Sequence, residues 1–201
     1  MMLVARSFDI NKPGCNWKDV SGGVVGGSLI RGILRAGDAI EIRPGRQMQV
    51  ENRIKWVPIT TEVTSINAGS KTVDEATPGG LLGIGTKLDP ALTKSDALAG
   101  QVVGHVGKLP PVREKIRCQV TLMERVVGAT SELVIEPLRF NEPLMLSVGT
   151  AVTVGVVTST KKDAVEVQLK RPVCAENGAR IAISRQVGAR WRLIGMGVLA
   201  E

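Results

Sequence analysis

The chain of 201 residues has no tyrosine, two phenylalanines, three tryptophans, one histidine and three cysteines. Each shortage removes a class of function. With so few aromatics, an extended base-stacking surface is poorly supplied. A nucleophile–histidine site would have to use His105, which sits beside a Gly/Pro stretch where a strand ends, and reads as a structural or solvent-exposed residue. Cys15, Cys118 and Cys174 are far apart, odd in number and form no CxxC pair, so free thiols in a reducing compartment are expected and a zinc knuckle is not. No metal-ligand spacing is found among the acids. No apolar run approaches the roughly 20 residues of a membrane-spanning helix. The start, Met1-Met2-Leu3-Val4-Ala5, is too short for a signal peptide and precedes Arg6 instead of following it. The expectation is a soluble, cytoplasmic protein with no membrane partner.

Two further absences bear on mechanism. No stretch of ten residues keeps a 3.6 period, the best helical candidate being one or two turns from Leu92 to Ala99 ending at Gly100. No GxxxxGK[ST] phosphate loop occurs. The clusters Ser21-Gly22-Gly23-Val24-Val25-Gly26-Gly27 and Pro78-Gly79-Gly80-Leu81-Leu82-Gly83-Ile84-Gly85 lack the Lys-Ser/Thr pair and the helix that a phosphate cradle needs. Their glycines read as bulges, barrel corners or points of close backbone approach.

What is present is period two. Ile116, Cys118, Val120 and Leu122 alternate with Arg117, Gln119, Thr121 and Met123. Val165, Val167 and Leu169 alternate with polar neighbours, and so do Ile181 and Ile183. That is the pattern of half-buried strands. Turn signals recur at short intervals, among them Lys12-Pro13-Gly14, Ala36-Gly37-Asp38, Arg43-Pro44-Gly45 and Asn177-Gly178. Many short strands with regular breaks predict barrels or sandwiches. The stretch from His105 to Pro111 parts two strand-rich segments, because adjacent prolines cannot donate ladder hydrogen bonds. The fold class is therefore all-β, with one domain over residues 1–109 and a second over 110–201.

The net charge is +7. Residues 1–109 hold 13 Lys/Arg against 10 Asp/Glu, and residues 110–201 hold 13 against 9, so the excess is spread over both halves. It serves solubility and favours an anionic partner, nucleic acid being the commonest.

Several long stretches resemble the gamma subunit of eukaryotic and archaeal translation initiation factor two. In the first half they are Arg6 to Gly14, Gly22 to Ser28, Gly37 to Gly45, Pro78 to Leu81 and Gly85 to Thr93. In the second half they are Leu122 to Gly128, Leu144 to Gly149, Ile183 to Gln186 and Trp191 to Gly195. The resemblance implies two consecutive β-barrels of the elongation-factor-Tu domain 2 and domain 3 type, without the GTPase domain that precedes them. Met2 falls where such a chain leaves that domain and Met1 reads as an added start, so an expressed piece is expected. Cys15-Asn16-Trp17 and His105 depart from the family pattern.

The resemblance also implies a role in translation, that of carrying initiator methionyl-tRNA to the small ribosomal subunit. The first barrel would grip the acceptor end and dock the alpha subunit, the beta subunit docking on the absent GTPase domain. GTP and magnesium would belong to that domain, leaving this chain without cofactor and without enzymatic activity. Arg31, Arg35, Gly79, Gly80 and Lys87 are the candidates for tRNA contact, Gly79 and Gly80 because their position resembles the strand facing the terminal adenosine. Lys12, Trp17, Lys18, Arg43, Arg46 and Arg53 are the candidates for partner contact, on the loop Lys12 to Asp19 and the hairpin Arg43 to Lys55. Arg185, Arg190 and Arg192 read as outward-facing. The alternatives are a protein-interaction scaffold, whose main activity is alpha-subunit binding, and the barrels of another tRNA carrier such as a selenocysteine-specific elongation factor.

Overall fold

A computed structural model describes residues 1–50, 53–125, 134–161 and 164–200, apart from the side chains of residues 50 and 53. The expected contact role of Arg53, and the resemblance of Val126-Val127-Gly128, lie outside what is described. The chain divides into two compact units, Met1–Leu109 and Pro110–Glu201.

The first unit holds β1 (Met2–Phe8), β2 (Val24–Leu29), β3 (Leu34–Arg35), β4 (Ala39–Val50), β5 (Arg53–Ala68), β6 (Lys71–Val73), β7 (Glu75–Ala76), β8 (Leu82–Thr86) and β9 (Val102–His105). Its sheet runs β4-β9-β1-β2-β8-β5-β6, and a further pairing of β4 with β5 closes six of these strands into a barrel, β6 extending the hairpin from β5. Closure leaves no open ladder in the ring, which is how such strands avoid sticky edges. The core is what the alternation demands: Met2 and Val4 from β1, Val25 and Leu29 from β2, Ile40 and Ile42 from β4, Val63 and Ile66 from β5, and Ile84 from β8 all point inward.

The second unit holds β10 (Val112–Leu122), β11 (Pro143–Val148), β12 (Ala151–Lys161), β13 (Ala164–Cys174), β14 (Arg180–Val187) and β15 (Arg190–Ala200). They form a closed barrel in the order β10-β13-β12-β11-β14-β15. The strand readings hold here residue by residue: Ile116, Cys118, Val165, Val167, Leu169, Ile181 and Ile183 are core, with Val120 and Leu122 packed against it. Arg185 is tied inward and not simply outward-facing. Its guanidinium bonds the Glu142 carboxylate and the carbonyls of Glu136 (3.0 Å) and Pro137 (3.2 Å), which latches residues 136–142 onto β14.

The helical candidate resolves into two single 3-10 turns, Pro90–Leu92 and Lys94–Asp96. Ser95 at φ 56° and Asp96 at φ 59° interrupt any α-helical run, and Gly100 at φ 83° ends it. All three cysteines are free, Cys15 exposed and the other two buried. Burial pushes the Cys118 thiol up to about 11, so it packs as a hydrophobe. His105, the last residue of β9, makes a 3.0 Å hydrogen bond between Nε2 and the Ile33 carbonyl. Among the described residues no helix is long and apolar enough to cross a membrane.

Candidate functional site

The outer face of the first barrel carries a cavity of about 580 Å³. The ladders show how it arises. Across four adjacent strands, Arg6 pairs with Gly26, Gly26 with Gly83, and Gly83 with Asn67. One step along, Phe8 pairs with Val24, Val24 with Gly85, and Gly85 with Ser65. The first row has side chains only at its ends and a bare floor between them, while in the second Val24 stands beside the bare Gly85. Three strand spacings separate Arg6 from Asn67, a Cα span of about 14 Å. Phe8, Ile10 and Leu81 supply apolar walls, Leu81 being 71% exposed.

The glycines of this floor are of two kinds. At Gly22 a Cβ would lie 1.8 Å from the Thr86 carbonyl oxygen, so the fold itself excludes a side chain there, and at Gly85 it would lie 2.5 Å from Ser65 Oγ, so that the neighbouring hydroxyls would have to shift. This is the close approach read from the sequence. Gly26 and Gly83 are different: their nearest atoms would be 3.8 Å and 3.9 Å away, ordinary contact distances. Neither has a positive φ. Every other glycine within a strand would drive its Cβ to 3.2 Å or closer of a neighbour. The barrel tolerates side chains at Gly26 and Gly83, and their bareness is what keeps the floor open.

The charged end of the row is held from outside the sheet. Asp96 Oδ1 accepts from Arg6 Nε and from the Ser7 backbone N–H, both at 2.9 Å, while Ser7 Oγ accepts from the Leu98 N–H at 3.0 Å. The hydrogen bond from Arg6, then that from Ser7, hold the Asp96 carboxyl below the usual carboxylate range. At the other end Thr72 Oγ1 donates to Asn67 Oδ1 at 2.9 Å. The loop from β1 to β2 is closed at its base by Asn11, whose amide exchanges two 2.8 Å bonds with the Ser21 backbone.

The residues singled out from sequence lie elsewhere. None of Arg31, Arg35, Gly79, Gly80 and Lys87 lines this cavity. Arg31 is exposed in the loop after β2. Arg35 is paired with Glu75 at 2.6 Å, and Lys87 with Glu62 at 2.8 Å. Gly79 and Gly80 are in the turn ahead of β8 and not in the strand; with φ of 134° and 60° they are required by the turn's backbone. Trp17 is 79% exposed on a single 3-10 turn, its ring 5.4 Å from Lys18 Nζ, and Lys12 is in the same loop. Arg46 is exposed on β4. Arg43 is not free for a partner. It lies 3.1 Å from the buried Glu41 carboxylate, which also accepts from the Gly107 N–H at 3.0 Å, so the pair fastens the segment leaving β9. Sequence reasoning missed Arg6, Gly26, Gly83, Asn67 and Asp96. The row exists only once four strands, up to 77 positions apart between Arg6 and Gly83, are laid side by side.

Known proteins place this architecture. Residues 22–121 match the family model for elongation factor Tu domain 2. The solved structure of translation elongation factor SelB from Methanococcus maripaludis, with the GTP analogue GppNHp, has the same fold over 100% of this chain and 42% of its own, with a TM-score of 0.70 at 19% identity. The protein is thus of the translation-factor two-barrel class.

Within that class the second half is decisive: residues 114–199 match the family model "Initiation factor eIF2 gamma, C terminal". Translation initiation factor 2 subunit gamma of Methanococcus vannielii is 59% identical over 98% of this chain and 48% of its own length. The corresponding subunit of Archaeoglobus fulgidus is 60% identical over 99% and 46%, and that of Pyrococcus abyssi 58% over 100% and 49%. The chain belongs to the translation initiation factor 2 gamma family and spans about half the length of the curated relatives it matches. The selenocysteine-factor alternative falls behind, since its likeness is one of fold alone.

Proposed function

We propose that this chain is the two-barrel portion of a tRNA-carrying initiation factor, with residues 1–109 as its second domain and 110–201 as its third. In this reading the first barrel seats the acceptor end of initiator methionyl-tRNA, and the cavity floored by Gly26 and Gly83 receives the terminal nucleotide. The observation that carries it is the bareness of those two positions. A flat heterocycle needs a level apolar bed with polar groups at its rim, and two adjacent outward glycines flanked by Arg6 and Asn67 make one. Membership of the family supports delivery to the small ribosomal subunit, in the cytoplasm, as the rest of this reading. GTP and magnesium are assigned to a GTPase domain, since this sequence has no phosphate loop.

The experiment is an amide NMR titration of the chain with a methionylated acceptor minihelix. The expected result is perturbation of Gly26 and Gly83, lost in Gly83→Leu while the melting temperature stays. Binding is expected to be weak, because a grip shared between domains loses its effective concentration when one is absent. It is expected to fall steeply with salt. Unchanged binding by Gly83→Leu would reject the site.

A second surface supports docking of the alpha subunit. Trp17 stands clear of its own barrel on the Lys12–Asp19 loop, and Arg46 is exposed on the β4–β5 ribbon, where Ile54, paired with Gln49, is 72% exposed. Exposed aromatic and arginine side chains are the usual anchors of interfaces. A Trp17→Ala, Arg46→Ala double variant is expected to melt normally and to lose alpha-subunit affinity by at least about tenfold.

A further inference from the structure

The one Asn-Gly pair of the sequence, Asn177-Gly178, lies in the turn between β13 and β14 and belongs to neither the first-barrel cavity nor the docking surface. Such a pair is chemically vulnerable, because glycine carries no side chain to shield its amide nitrogen from the carboxamide carbon of the asparagine before it. Here both reacting groups are held, and from different strands. Arg113, on β10, donates through Nη2 to Asn177 Oδ1 and through Nε to the Ala175 carbonyl at 3.1 Å, so its fork spans the entry to the turn. Gly178 donates its N–H to the Leu199 carbonyl of β15 at 2.8 Å, and Leu199 in return donates to the Ala179 carbonyl at 2.9 Å. The Glu176 carbonyl accepts from the Ala179 N–H at 3.2 Å, which closes the turn. Asn177 and Gly178 are themselves exposed, Gly178 taking a φ of 82° with open space where a Cβ would stand, so water and hydroxide reach both. What holds them is hydrogen bonding and not burial.

We propose that Asn177 is a site of spontaneous deamidation that the second barrel holds shut, with Arg113 as the residue that guards it. In the reaction the Gly178 N–H gives its proton to hydroxide and the nitrogen attacks Asn177 Cγ to close a five-membered imide. The Cγ–Nδ2 bond breaks, and the leaving nitrogen takes a proton from water and departs as ammonia. Water then opens the imide at one carbonyl or the other, giving aspartate or isoaspartate. Attack needs the Gly178 nitrogen bare and the Asn177 carboxamide turned toward it. The bond to Leu199 denies the first and the fork of Arg113 denies the second. A guanidinium at Oδ1 would also steady the oxyanion of that attack, but the oxyanion forms only once the nitrogen is freed. Arg113 therefore acts by positioning the amide. Either product puts a carboxylate where a neutral amide stood and lowers the net charge of +7 by one. Aspartate keeps an acceptor for Arg113, whereas isoaspartate lengthens the backbone by a methylene and breaks the Gly178–Leu199 bond.

The test is mass-spectrometric peptide mapping of the 201-residue chain held in mild alkali, in water enriched in heavy oxygen, beside a synthetic peptide of residues 173–181. Asn177 is expected to deamidate at least about tenfold more slowly in the chain than in the peptide, since the turn must first open. Arg113→Met keeps the length of the stem and removes the donors. It is expected to speed the reaction about fivefold, both proteins being held equally far below their own melting temperatures. Hydrogen exchange at the Gly178 amide is expected to quicken in the same proportion. Arg113→Lys, with a compact head in place of the fork, is expected to fall between the two. A chain that deamidates as fast as the peptide overturns the guarded site. A rate unchanged in Arg113→Met overturns the part given to Arg113, and a lower rate overturns it by making the guanidinium a promoter of the attack. Should Arg113→Met fail to fold, the rate of Arg113→Lys against the parent decides on the same terms.

Discussion

The two barrels share a plan and differ in what they leave uncovered. Each closes six antiparallel strands around an aliphatic core, and each core is built from the same alternation. Outside, they part. In the second barrel the glycines inside strands, Gly155, Gly195 and Gly197, would each bring a Cβ within 3.2 Å of a neighbour, so every one serves the packing. In the first barrel two strand glycines serve no packing at all and lie side by side on the outer face. The barrel provides stability by closure, and once that is secured the outer positions are free to be shaped for a ligand. Among the described residues only the first barrel carries such a bare pair.

The largest expected effect sharpens that distinction between glycines. Gly27→Ala would set a Cβ 1.9 Å from the Leu3 carbonyl oxygen, and Gly155→Ala would set one 2.5 Å from Val167 Cγ1. Each is expected to lose about 3 kcal/mol of stability in denaturant unfolding, because backbone or core must move. Gly83→Ala is expected to stay within about 0.5 kcal/mol of the parent, or to gain slightly from reduced unfolded-state freedom. Equal losses at Gly27 and Gly83 would erase the difference on which the site rests.

A smaller effect probes how each barrel holds its loops. Residues 136–142 of the second barrel are latched by the half-buried Arg185–Glu142 pair, whose side chains are 19% and 12% exposed. Glu142→Gln keeps the shape, removes the charge and is expected to cost about 1–2 kcal/mol in urea unfolding. The loop of the first barrel is fastened instead by the exposed Arg6–Asp96 contact, 71% and 39% exposed, where Asp96→Asn at neutral pH is expected to cost less.

The smallest effect is one of pH. Arg6 chiefly holds the Asp96 carboxyl below its ordinary value, and Lys115 chiefly does so for Glu166 in the second barrel. A carboxyl lowered in the folded state adds stability above its unfolded value near about 4, and that stability is lost as pH falls through the folded value. Melting temperatures between about pH 5 and pH 2 are therefore expected to drop in two separable contributions. Asp96→Asn removes the one and Glu166→Gln the other; a slope unchanged by both substitutions would refute the assignment.

Much of this was open to a reader of the sequence. Alternation placed Ile116, Cys118, Val165, Val167, Ile181 and Ile183 in a core, because period two is a local property of the pleat and needs no partner strand to be seen. The absence of a phosphate loop and of helical period was equally local. The long stretches shared with the initiation-factor family pointed to the family itself. The exposure of Trp17, the tether role of Arg43 and the pairing of Arg35 and Lys87 with acids were not open to it, since each depends on which residue another strand brings alongside. Gly26 and Gly83 carry the lesson furthest. In sequence they are two members of two glycine runs, alike with Gly22, Gly27 and Gly85. Only registration of β2 against β8 and its other neighbours shows that the latter three are pressed by nearby atoms while the former two face open space. Burial between strands is a property of the assembled sheet that no single strand contains.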